Sequence, residues 1–118
     1  MVRIENADGV ITITSEVFTD LAGDAATSCF GVKGMVGSSK DGGPFQLLRR
    51  DSMSKGCFAR FAEDNSSVSL ELHIAVDHGV NISALAHSIM GEVSYKVSRA
   101  TGVPVETVDV YVDTMLIG

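Results

Sequence analysis

Apolar and polar positions alternate most regularly between Ser67 and Asp77. Val68, Leu70, Leu72, Ile74 and Val76 share one parity, and Ser67, Ser69, Glu71, His73 and Asp77 share the other. A period of two over this length predicts a strand with one buried and one wet face. The pattern recurs near the end of the chain. There Val108, Val110 and Val112 alternate with Thr107, Asp109, Tyr111 and Asp113. Val10-Ile11-Thr12-Ile13 is β-branched throughout and predicts a short strand. Further strands are predicted over Val32 to Val36, Phe45 to Leu48 and Gly56 to Ala62, with Glu63-Asp64-Asn65-Ser66 as a hairpin loop.

Two stretches change to helical spacing. After Thr14, a candidate N-cap, Val17, Leu21, Ala25 and Cys29 form one row, with Phe18, Ala22 and Ala26 beside it. Ile13 is placed to staple onto Phe18, and Gly31 is the expected left-handed stop. The second helix opens at Asn81. It carries Ile82, Leu85, Ala86, Ile89, Val93, Val97 and Ala100 as its apolar stripe, and ends at Gly102-Val103-Pro104. Strands and helices that are each apolar on one side predict an α+β two-layer sandwich: a mixed β-sheet with two helices on one face, in the order β-α-β-β-β-α-β. The length suits a single domain spanning residues 1–118.

Charge narrows the functions open to such a domain. The formal net charge is −6 and the pI about 4.8. An acidic surface repels nucleic-acid phosphates and anionic headgroups, so neither nucleic-acid binding nor direct membrane insertion is expected. No run approaches the ~18 apolar residues of a membrane span, and the opening Met1 to Asp8 has no signal-peptide core. The expected location is the cytoplasm. Cys29 and Cys57 form no CxxC pair and read as buried thiols in a reducing compartment.

Each candidate for chemistry has a plainer counterpart. His73, Asp77 and His78 are metal-ligand types. On a strand, however, His73 and Asp77 lie about 13 Å apart, too far to share an ion bound at about 2.0–2.1 Å. Gly31-Val32-Lys33-Gly34 matches the G-x-x-G loop of KH RNA-binding domains, although a strand rather than a second helix is expected after it. Gly37 to Gly43 resembles a phosphate-binding loop in composition alone. Arg49 and Arg50, with Lys55 and Arg60, make a local basic concentration that could become a contact surface, and Lys33 and Lys40 would extend it. No serine or cysteine stands in a nucleophile elbow, and Glu63-Asp64 lies in a turn. No residue is assigned a catalytic, cofactor-binding or metal-ligating role.

Several stretches resemble the alkaline shock protein family of bacterial envelope-stress proteins. These are Val10 to Ile13 followed by Ser15-Glu16-Val17; Phe30-Gly31-Val32-Lys33-Gly34-Met35-Val36-Gly37; Asp77-His78-Gly79-Val80-Asn81-Ile82; Thr101-Gly102-Val103-Pro104-Val105; and Val108 to Val112. The similarity covers roughly residues 10–112, while the 38–54 loop matches no motif of the family. It implies a role in cell-envelope stress at the cytosolic face of the membrane, reached through a membrane-anchored partner, with no catalytic residues. The expectation is a non-enzymatic, self-associating or scaffold module that forms a homo-oligomer. The alternative is a small nucleic-acid- or ligand-binding module of KH-like character. An enzyme is the third class.

Overall fold

The computed structural model describes residues 1–37, the backbone of 46–47, and residues 56–116. The strands are β1 (Val2–Asn6), β2 (Gly9–Ile13), β3 (Val32–Gly37), β4 (Gln46–Leu47), β5 (Cys57–Phe61), β6 (Val68–Asp77) and β7 (Val105–Leu116). The helices are α1 (Ser15–Thr27) and α2 (Ile82–Thr101). The expected order β-α-β-β-β-α-β is present, with β1 added before it and, within the expected Phe45 to Leu48 stretch, the two-residue β4.

β6 is the spine of the main sheet. Its N-terminal half pairs antiparallel with β5 and its C-terminal half antiparallel with β3, both along one edge. Its other edge pairs in parallel with β7, from Val68↔Val105 to Asp77↔Leu116. Val68, Leu70, Leu72, Ile74 and Val76 are buried, as their alternation requires. Both helices cover that face. Phe18, Ala22, Ala25 and Ala26 of α1 and Leu85, Ile89, Val93 and Val97 of α2 join those five in one core. Burying each large side chain contributes about 1.5–3 kcal/mol. Phe18 meets Phe61 edge-on at 5.4 Å between ring centres.

Local signals place the ends of α2. Asn81 Oδ1 accepts from the backbone N–H of Ala84 at 3.0 Å. Gly102 takes the left-handed conformation, and its N–H bonds the Ser98 carbonyl at 2.8 Å. α1 departs from expectation in three ways. Thr14 occupies the N-cap position, but its hydroxyl makes no cap bond. The row led by Phe18 is the buried one, while Val17 is exposed, because α1 leans on β5 and β3 with its small residues inward. The helix also stops at Ser28 rather than Gly31. The Thr27 hydroxyl bonds the Gly23 carbonyl and that of Ser28 bonds the Asp24 carbonyl, both at 2.8 Å. Gly31, at φ +97°, instead presses against Val80, with Val80 Cγ1 3.0 Å from where a Cβ would sit. The buried stripe of α2 is narrower than predicted: Ile82 and Ala100, near its ends, are exposed, and Ala86 is half-buried.

β1 and β2 form a separate two-stranded antiparallel sheet. Val2 joins the core and Ile13 packs against it, while Ile4, Val10 and Ile11 are exposed.

Candidate functional site

The face of β5, β6 and β7 opposite the helices carries the side chains that gather into a constellation. Register alone brings them together. Phe58, Glu71 and Asp109 stand in one row across the three strands, and His73 and Tyr111 stand side by side in the next. The Tyr111 ring stacks on the His73 imidazole at 4.8 Å with only 9° between planes. Phe58 approaches the imidazole edge-on at 5.8 Å. Both ring nitrogens of His73 are engaged: Nδ1 lies 2.8 Å from Asp113 Oδ2 and Nε2 lies 2.9 Å from Glu71 Oε2. The register of β7 slips between Val112 and Thr114, at the place where Asp113 meets His73.

Burial is the largest single influence on the His73 proton and works against it. The bonds to Glu71 and Asp113, together with their charges, outweigh it, so His73 titrates above the ordinary histidine range. Held between two carboxylates and against Tyr111, His73 is a fixed post on which the exposed rings are oriented.

The other sequence candidates are spread across the molecule. Asp77 pairs with Lys33 at 3.2 Å. His78 donates its backbone N–H to the Leu116 carbonyl at 3.2 Å. Among the described residues no group of His, Cys, Asp and Glu is arranged to hold a metal ion. The Gly31 to Gly34 stretch runs into β3 rather than forming a loop between helices. Asp64 accepts from the Ser66 hydroxyl and N–H, which draws its carboxyl below the usual range and holds the exposed turn. Arg60 is exposed on the open face, one row from Phe58. Lys40, Arg49, Arg50, Lys55 and residues 38–43 of the phosphate-loop candidate lie outside the described residues, as do Phe45 and Leu48.

A hollow of about 610 Å³ lies between the end of α1 and the start of α2, lined by Cys29, Phe30, Val80, Leu85, Ser88 and Glu92 among others. Partial burial raises the Cys29 thiol and the Glu92 charge raises it further, against a smaller opposing effect of Lys96. That environment disfavours the nucleophilic thiolate. Burial, helped by Glu71, pushes the Cys57 thiol up to about 12. Sequence reasoning did not join Phe58, Tyr111 and Asp113 to His73, because what joins them is the pairing between strands.

Comparison with known proteins agrees with the resemblance drawn from the motifs. The model of the alkaline shock protein family, described as having a cell envelope-related function, matches residues 3–117. The chain is 32% identical over 113 residues to the uncharacterized protein YloU of Bacillus subtilis (strain 168), covering 94% of this chain and 92% of that protein. It is 30% identical over 115 residues to the uncharacterized protein Spy1614 of Streptococcus pyogenes serotype M6, covering 97% of this chain and 93% of that one. Among solved structures, the copper form of MamM CTD superposes with a TM-score of 0.51 at 19% identity, covering 87% of this chain and 88% of that one. This last likeness is one of fold alone.

Proposed function

The chain belongs to the alkaline shock protein family, whose function is cell envelope-related, and from that premise we propose that it is a non-enzymatic module, one domain over residues 1–118, that associates with itself and is recruited to the inner face of the membrane by a membrane-anchored partner. The observation that carries the reading is the β1–β2 hairpin. Ile4 and Ile11 face each other across it and continue outward the apolar line begun by Val2 and Ile13. A two-stranded hairpin is marginal in water by itself, and a second copy covering Ile4 and Ile11 would remove that weakness. Recruitment by a partner is supported by charge, since a chain of net charge −6 gains nothing from an anionic bilayer. No described helix is long and apolar enough to cross a membrane. The disfavoured thiolate of Cys29 at the hollow supports the non-enzymatic part.

Light scattering across a concentration series, with vesicle flotation alongside, tests both halves. The expected mass exceeds that of one chain and falls towards it in the Ile11→Asp variant. A wild-type monomer at the highest concentration overturns self-association. Phosphatidylglycerol vesicles are expected to float without the protein, and salt-sensitive flotation with it overturns recruitment through a partner.

A further inference from the structure

β7 is the longest strand, and among the described residues no strand pairs with its outer edge. From Thr107 to Val112 its register against β6 is unbroken, so the outer backbone donors and acceptors of this run are evenly presented. On the open face this run sets Asp109 and Tyr111 at alternate positions, and Asp113 follows at the slip in register. Tyr111 and the neighbouring Phe58 are each about half exposed, at 46% and 49%. Asp109 stands directly across from Glu71, two like charges in one row, and Glu71 already serves His73. Among the described residues Asp109 has no cationic partner.

We infer that the outer edge of β7 is a docking strand for an extended segment of a partner protein bearing arginine or lysine at alternate positions. The inference rests on the recruitment proposed above and names the contact through which it occurs. A strand added at this edge makes main-chain bonds to β7 and projects every second side chain over the open face. Its residues recur at the same pitch as Asp109, Tyr111 and Asp113. A guanidinium can then lie against the Tyr111 ring while it pairs with Asp109. The His73 clamp keeps Tyr111 in place before the partner arrives, which lowers the ordering cost of binding.

The probe is a fluorescent peptide of alternating arginine and valine, titrated into the full chain and read by anisotropy. Saturable binding that weakens with salt is expected, with no binding of the alternating glutamate–valine peptide. Asp109→Asn and Tyr111→Ala should each weaken it about tenfold. Glu16→Gln, which removes the same charge from the far side of the molecule, should leave it unchanged. Methylating one alternate set of peptide amides should abolish binding and methylating the other should not, because one set faces β7. Equal loss from Glu16→Gln overturns the inference in favour of diffuse charge attraction. Indifference to both methylated sets overturns strand addition. The unliganded mass from light scattering is read separately. A self-associating chain that ignores the peptide therefore sinks this inference alone, and a peptide-binding monomer sinks the self-association alone.

Discussion

Replacing His73 with Gln, and measuring the loss of stability at two pH values, isolates the histidine clamp. The folded chain holds the His73 proton more tightly than the unfolded chain does, so protonation favours folding. That stabilisation is complete below the ordinary histidine value of 6.5 and is lost as pH climbs through the raised folded value. At low pH the imidazolium donates to both Asp113 and Glu71, at 2.8 and 2.9 Å. A charge-assisted bond contributes about 1.5–3 kcal/mol when well buried. The three side chains keep 23%, 26% and 16% of their exposure, and solvent screening brings the two bonds together to about 1–2 kcal/mol. Gln donates to one carboxylate at best, and neutral His73 does likewise. The variant should therefore lose about 0.5–1 kcal/mol from the bonds at about pH 6, and little or nothing from them at about pH 9. Loss of the stack on Tyr111 adds about 0.5–1.5 kcal/mol at either pH. Urea unfolding followed by circular dichroism measures both differences, provided the slope against urea is unchanged. A loss that is the same at both pH values would refute the assignment of a protonated, doubly bonded His73.

Leu72→Ala empties a position with no exposure in the middle of the core and should cost about 2–5 kcal/mol by urea unfolding; a change below about 0.5 kcal/mol would place Leu72 outside the core. In the native chain a thiol reagent at about pH 8 should label Cys29 slowly and Cys57 only after unfolding, since Cys57 is 3% exposed and titrates at about 12; rapid labelling of both would contradict that burial. Gly102→Ala meets no atom within 4 Å but must hold φ at +74°, so a loss of about 1 kcal/mol with the fold kept is expected by thermal melting. Asn81→Ala removes the bond to the Ala84 N–H and should cost about 1 kcal/mol in the same assay.

What the chain fixes locally is legible in its residues. The period of two from Ser67 to Asp77 determined both the strand and its buried face, because one pleat must face oil and the other water. Asn81 and Gly102 marked the two ends of α2, because a cap bond and a left-handed turn are made within a few residues. α1 was less legible. Its two apolar rows are chemically alike, and only contact with β3 and β5 decided that Phe18 goes inward and Val17 outward. Val2–Asn6 alternates over only four residues, Val2-Arg3-Ile4-Glu5, too short a run to mark a strand by itself, and pairing with β2 holds it extended. The open-face site lay furthest from reach. His73 and Tyr111 are far apart in sequence, and their stacking depends on the parallel register that the α2 crossover sets. Asp113 reaches His73 at a slip in that register. Pairing between distant strands is a property of the packed whole, since the buried faces of β6 and β7 must meet the same two helices before their outer faces can meet each other.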